Sequence, residues 1–92
     1  MNNNHIDELC TLFVGIRTKK EALALLQDIL TKSERADVAE RWQIVKMLAK
    51  GVPHRKISQN LKVSISKVTR GSAALKSDHG GFGLLLKRSK KT

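Results

Sequence analysis

The chain has 92 residues and a formal net charge of +10, with 18 Lys and Arg residues against eight Asp and Glu residues. Its single cysteine excludes an intramolecular disulfide, and three aromatic residues allow only a modest core. No apolar run reaches the roughly 18 residues that a membrane helix needs and no signal-peptide pattern is present, so we expect a cytoplasmic protein without a membrane partner.

The first two predicted helices carry wide apolar faces. Within residues 5–16, apolar side chains recur at three- and four-residue intervals, the pattern of an amphipathic helix. Cys10 falls on this face, and we expect it to be a buried, small hydrophobic residue. A second helix is predicted after Thr18, which forms a capping-box pattern with Glu21 and precedes an apolar run that ends at Leu30. We expect the two helices to form a homodimer interface, because a monomer of this length buries little apolar surface.

The third predicted helix begins after Thr31, where the capping pattern recurs with Glu34. It ends before Gly51, a residue type that favours helix ends, and Pro53 suits the first turn of the next helix. Trp42 lies on the apolar face of this helix, and we expect it to belong to the core.

Residues 53–75 have the spacing of a helix-turn-helix motif. Ile57 belongs to an apolar stripe, Val63 falls in the gap, and Val68 belongs to a second stripe. Ser64 is placed to cap the second helix with its hydroxyl. Lys62 occupies the turn, where glycine is easier to accommodate, so we expect a wider turn or a left-handed lysine. The alternative is an ordinary helical hairpin with a basic surface.

Beyond Leu75 the helical pattern weakens. A glycine-rich connection leads to Phe82 and a short leucine run, which would form one or two turns, and the last six residues are typical of a solvated basic tail. We therefore predict an all-α protein with one domain over residues 1–92, made of core helices in 1–51, the motif in 52–76 and a flexible basic segment in 77–92.

The positive charge is concentrated on the motif and the segment after it. Residues 52–92 carry ten Lys and Arg residues against one acidic residue, which is the charge distribution of a polyanion-binding surface. Residues at the start of a recognition helix reach base edges, and short side chains suit readout through water. The predicted DNA-binding residues are Arg55, Ser64, Ile65, Ser66, Lys67 and Thr69, with Lys76 on a phosphate. For Ser64, the alternative is capping alone.

No catalytic pattern is recognisable. The three histidines are far apart, none pairs with Cys or a carboxylate at ligand spacing, and there is no phosphate-binding glycine loop or nucleophile elbow. We expect neither an enzyme nor a metal site. A DNA-targeting module of a transposase or recombination system is an alternative, because such modules carry this motif without catalytic residues.

Three segments resemble the tryptophan repressor family: L-T-K-S-E-R at 30–35, R-W-Q-I-V-K-M-L-A-K-G at 41–51 and V-T-R-G-S-A-A-L-K at 68–76. The resemblance extends from Leu12 to Lys76. The link after Gly51 is more similar to that of uncharacterised relatives grouped beside this family. The resemblance implies an intertwined helical homodimer whose paired helix-turn-helix motifs bind a palindromic, double-stranded DNA operator.

The same resemblance implies a ligand pocket for L-tryptophan as corepressor. Two guanidinium groups can sandwich an indole, and one can also hold a carboxylate. Without the resemblance, the interpretation of Arg41 and of Arg70 is a surface or phosphate-contacting side chain. Backbone carbonyls near Asp28 and Leu30 would accept from the ligand's ammonium group. The implied pocket residues are Thr31, Arg41, Arg70 and Gly71.

The predicted function is therefore a tryptophan-responsive repressor that regulates tryptophan biosynthesis or uptake. The family usually offers a hydroxyl from the partner subunit to the ligand's ammonium group, and this chain has Ala74 at that position. We expect weaker tryptophan binding for that reason. A helix-turn-helix regulator of the same fold with another ligand, or with none, is the alternative.

Overall fold

A computed structural model describes residues 3–77 and 79–90, without the side chains of Asn3 and Lys90. These residues form an all-helical protein without strands, which confirms the predicted all-α class. None of the described helices combines the length and apolar character that a membrane crossing requires. The ends of the predicted terminal segments, residues 1, 2, 91 and 92, lie outside the described residues, as does Asp78. The helices are α1 (Asn3–Val14), α2 (Lys19–Ile29), α3 (Lys32–Ala49), α4 (His54–Leu61), α5 (Ile65–Lys76) and α6 (Gly81–Lys90).

The chain divides into two compact units between Arg35 and Ala36. In the first unit, the predicted cap of α2 is confirmed, because the Thr18 hydroxyl accepts a hydrogen bond from the backbone N–H of Glu21 at 3.1 Å. The Glu21 carboxylate accepts from the backbone N–H of Arg17 at 2.9 Å. One free N–H group of the first turn, that of Glu21, and the N–H of Arg17 just before the cap are thereby paired.

The apolar faces of α1 and α2 are exposed in the single chain. Cys10 is exposed with them, so its predicted burial is wrong for the single chain: the apolar face around it has no cover. Contiguous apolar surface of this kind marks an interaction site more often than a solvated surface. The exposed large apolar residues of this unit include Ile6, Leu9, Leu12, Phe13, Leu23 and Ile29.

The core of the second unit is formed where α3, α4 and α5 meet. Each helix contributes one fully buried branched residue to the central cluster, Ile44 from α3, Ile57 from α4 and Val68 from α5. Burial of such a side chain contributes about 1.5 to 3 kcal/mol, so this cluster fixes how the three helices pack. The half-buried residues packed against it are Met47, Leu48, Val52, Leu61 and Val63.

The turn between α4 and α5 contains a left-handed lysine. Lys62 has φ 57° and ψ 46°, which is the conformation that the sequence led us to expect if the turn is tight. A left-handed residue other than glycine costs roughly 1 to 2 kcal/mol. Ser58 stabilises the turn, because its carbonyl accepts from the N–H of Val63 at 3.1 Å and its hydroxyl donates to the Val63 carbonyl at 2.5 Å. The start of α5 is therefore held in a defined position relative to α4.

The C-terminal helix is longer than the sequence indicated. We expected one or two helical turns and a solvated tail, whereas α6 continues to Lys90. The physical reason is a packing partner: Phe82 stacks on Trp42 of α3 with ring centroids 5.9 Å apart and an interplanar angle of 22°. Trp42 is half-buried rather than fully buried.

Candidate functional site

The start of α5 presents most of the predicted DNA-binding residues. Ser64 caps the helix, because its hydroxyl accepts from the backbone N–H of Lys67 at 3.2 Å, which confirms the predicted cap. Thr69 uses its hydroxyl as a donor to the carbonyl of Ile65 at 3.0 Å and keeps acceptor capacity. The exposed predicted residues on α5 are Ile65, Ser66, Lys67, Thr69 and Lys76.

Arg55 is exposed on the first turn of α4. Helices α4, α5 and α6 contain no Asp or Glu, so their described side chains are either neutral or positive. The N-terminus of α5 adds the partial positive charge of the helix dipole. This surface is suited to an anionic partner such as a phosphate backbone.

A cleft of about 150 Å³ is formed by side chains of α3 and α5. It brings together Arg41 and Arg70, the two arginines that the sequence assigned to a ligand. Both are exposed, whereas Ile44, the apolar residue of the lining, is 1% exposed. Apart from Ile44, every lining residue has a charged side chain, and the complete lining is Asp37, Glu40, Arg41, Ile44, Lys67 and Arg70.

An ion pair crosses this cleft from α5 to α3. The Lys67 ammonium lies 2.9 Å from the Glu40 carboxylate and donates a hydrogen bond to it. This bond and the charge of Glu40 raise the pKa of Lys67, with a smaller contribution from Asp37, while desolvation and Arg41 act in the opposite direction. Lys67 was predicted to contact DNA, which stays a prediction. In the structure its side chain lines the cleft.

Sequence analysis did not identify the two carboxylates of the cleft. Asp37, Glu40, Arg41 and Ile44 occupy positions i, i+3, i+4 and i+7, so they share one face of α3. This spacing could have placed both carboxylates beside Arg41 from the sequence alone. Among the described residues, no three His, Cys, Asp or Glu side chains lie close enough together to hold a metal ion.

Gly71 is buried at the contact between α5 and α3. A Cβ atom at this position would lie 2.8 Å from Cγ2 of Ile44 and 3.5 Å from Cδ1 of Leu48. The space next to its Cα is thus filled by these side chains, and glycine is what allows the two helices to approach so closely. Its predicted role of leaving room for a ligand ring stays a prediction.

Thr31 lies in the first unit and caps α3. Its hydroxyl accepts from the N–H of Glu34 at 3.1 Å, and the Glu34 carboxylate accepts from the N–H of Thr31 at 2.8 Å. The bond from the Thr31 N–H to the carboxylate, and next the interaction of the carboxylate with the Thr31 hydroxyl, lower the pKa of Glu34 below its usual value. Sequence analysis found this capping box, and the ligand role of Thr31 stays a prediction.

Arg35 also belongs to the first unit, and sequence analysis did not single it out. Its guanidinium donates to the carbonyl of Leu30 at 2.8 Å and to that of Gln27 at 3.5 Å. Leu30 is one of the carbonyls that we expected to accept from a ligand ammonium group. A carbonyl oxygen has two lone pairs, so one acceptor position is left beside Arg35.

Comparison with known proteins gives consistent matches along most of the chain. A family model described as Trp repressor protein matches residues 4–90. The Trp operon repressor homolog of Chlamydia trachomatis serovar D is 41% identical over 69 residues, covering 70% of this chain and 73% of its own length. Its counterpart in Actinobacillus succinogenes is 45% identical over 75 residues, covering 80% of this chain and 70% of the relative's length. The Trp operon repressor homolog of Chlamydia caviae is 36% identical over 87 residues, covering 94% of this chain and 86% of its own length.

Gly71→Ala tests the close contact between α5 and α3. We expect the free energy of unfolding to fall by about 1 to 3 kcal/mol, because the added methyl group overpacks against Ile44. Urea denaturation at fixed protein concentration measures the change. Gly81→Ala is the matched control, since nothing lies within 4 Å of its added Cβ. Equal stability of the two variants would show that Gly71 is not needed for packing.

Proposed function

Because the chain belongs to the Trp repressor family, we propose that it is a DNA-binding transcriptional repressor with L-tryptophan as its corepressor, regulating tryptophan biosynthesis or uptake. The family consists of DNA-binding regulators rather than enzymes. The observation that carries the ligand part of the proposal is the cleft in which Arg41 and Arg70 lie together. Arg70 belongs to the same helix as most of the residues proposed to contact DNA.

In this proposal, α4 and α5 are a helix-turn-helix motif, and α5 is the recognition helix. The turn of three residues, Lys62 to Ser64, and the buried pair Ile57 and Val68 support this assignment. The N-terminal residues of a recognition helix face base edges in the major groove, where Ser66 and Thr69 would read bases directly or through water. Arg55 and Lys76 would contact phosphates and position the motif.

The chemistry of the cleft supports an amino-acid ligand. The exposed guanidinium groups of Arg41 and Arg70 offer planar surfaces on which an indole ring can stack, and each can pair with a carboxylate. Ala74 offers no hydroxyl to the ligand's ammonium group. This substitution favours, as the second candidate, a repressor of the same fold that uses another ligand or none.

The proposed assembly is a homodimer. The large apolar side chains exposed on α1 and α2 provide a surface that a second copy can cover. Burial of a leucine, isoleucine or phenylalanine contributes about 1.5 to 3 kcal/mol, so covering these residues would stabilise a dimer substantially. Two-fold symmetry would present two copies of α5 to a palindromic operator.

The dimer proposal predicts that stability depends on protein concentration. The midpoint of thermal unfolding is expected to rise as concentration increases, because association is coupled to folding. Leu12→Glu on the exposed face of α1 is expected to yield a monomer in sedimentation, whereas Lys20→Gln on α2 makes the same change of one charge unit and tests the effect of charge alone. A monomeric mass and a constant midpoint for the unsubstituted chain would contradict the proposal.

The DNA proposal predicts a steep dependence on salt. For ~6 phosphate contacts, affinity for duplex DNA selected from a random pool should fall roughly 10³-fold or more between about 50 and 200 mM salt. With L-tryptophan present, Arg55→Ala and Lys67→Ala should each weaken binding, while Lys20→Ala on α2 should not. Fluorescence anisotropy measures these affinities. Wild-type affinity in both motif variants would place the DNA contact elsewhere.

The corepressor proposal predicts measurable but modest L-tryptophan binding. In calorimetry, the binding heat should disappear in Arg70→Ala, because the stacking surface and charge partner are lost. Ala74→Ser should strengthen binding by roughly 10-fold or more, since a hydrogen bond to a charged group contributes about 1.5 to 3 kcal/mol. Arg88→Ala on α6, outside the cleft lining, is the control. No heat with the wild-type chain would favour the second candidate.

A further inference from the structure

Lys62 is the one left-handed residue other than glycine among the residues that the structure describes. It follows the last residue of α4, and its φ of 57° lies in a region that residues with a Cβ atom rarely adopt. Just after α3, the chain has Gly51 at φ 83°, the residue type that adopts such a conformation without strain. Position 62 therefore retains a strain that a glycine would remove.

No polar contact of the Lys62 side chain within the described residues offsets this strain. The side chain is exposed, and no described residue forms a hydrogen bond or an ion pair with its ammonium group. The turn is held by its backbone, because the Ser58 carbonyl accepts from the N–H groups of Lys62 and Val63. Both bonds would also form with glycine at position 62. The chain carries 18 Lys and Arg residues, so solubility does not require a lysine here.

Backbone strain of this kind is concentrated at functional sites, where the strained residue has a role that a relaxed one would not fill. We propose that Lys62 binds a phosphate of the DNA backbone, and that the lysine is retained in its strained conformation for this contact. This inference rests on the proposed function, because it adds a contact to the proposed DNA-binding surface. The residue is not among those that the sequence predicted to contact DNA.

The place of Lys62 on α4 fits this role. It follows Arg55 by seven residues, close to two helical turns, so the two positions lie on the same side of α4. With the rise of an α-helix, they are about 10 Å apart along the helix axis. Arg55 is proposed to contact a phosphate at the start of α4, and Lys62 would make a second contact of the same kind at its end.

The charge around the turn favours an anionic partner. Neither α4 nor α5 contains an acidic residue, and Arg55 and Lys56 add positive charge to α4. The turn leads directly into the start of α5, the end of that helix proposed to face the bases. A lysine ammonium on a flexible stem can reach a phosphate from a turn without a fixed orientation, and the contact releases condensed counterions.

Lys62→Gly tests the strain and the DNA contact together. At fixed protein concentration, its midpoint of thermal unfolding should rise by about 2 to 5 °C, since the strain relieved exceeds the entropy added to the unfolded chain. Its affinity for duplex DNA should nevertheless fall, by roughly fivefold at about 0.1 M salt. Because this variant is expected to be more stable than the wild type, unfolding would not explain its weaker DNA binding.

Lys62→Gln removes the charge but keeps a side chain, and Lys62→Arg keeps both. In fluorescence anisotropy with L-tryptophan present, Lys62→Gln should lower the slope of log affinity against log salt by about 0.9 for each Lys62 in contact. The loss should be equal for duplex DNA selected from a random pool and for unrelated duplex, because phosphates carry no sequence information. Lys62→Arg should keep the wild-type slope. Lys20→Gln on α2 is the matched control, since it removes the same charge outside the motif.

A wild-type salt slope in Lys62→Gln, a loss confined to the selected duplex, or an equal loss in Lys20→Gln would overturn the phosphate contact and leave the proposed DNA binding intact. A Lys62→Gly variant no more stable than the wild type would overturn the claim that strain is retained at this position. A wild-type chain without affinity for duplex DNA would overturn both the proposed function and this inference.

Discussion

The contact of Gly71 with Ile44 is the constraint on which the second unit depends. With no Cβ on Gly71, α5 approaches α3 until the Ile44 side chain lies against the Gly71 backbone, and Ile44, Ile57 and Val68 then close a small core. The same approach brings Arg70 and Lys67 of α5 near Arg41 and Glu40 of α3. The dimensions of the cleft are thus a consequence of core packing, and any side chain at position 71 would change both.

The second unit also shows how one helix can serve two surfaces. The buried side of α5 carries Val68 and Gly71, and its first five residues include Ser66 and Thr69, which are exposed to solvent. Lys67 is directed to the cleft by its bond to Glu40, although its position in the sequence fits the exposed face equally well. A long, flexible cation can occupy either side at small cost.

The first unit is held together mainly by local interactions. Capping boxes at Thr18 and Thr31, together with the bond from Arg35 to Leu30, stabilise the helix ends. Its large apolar side chains are exposed in the single chain, which explains why Cys10 is exposed although its sequence neighbours are apolar. The apolar pattern identified these two helix faces, and periodicity cannot state whether their cover comes from the same chain or from another one.

The sequence by itself determined the all-α class, five of the six helices to within a few residues, and the caps at Thr18, Thr31 and Ser64. These features depend on residues three or four positions apart, so composition and spacing contain the necessary information. Only the tertiary structure decided that Phe82 stacks on Trp42 and extends the last helix, and that Lys67 pairs with Glu40, 27 residues away. Such contacts depend on the distance and rotation between packed helices, which local pattern does not specify.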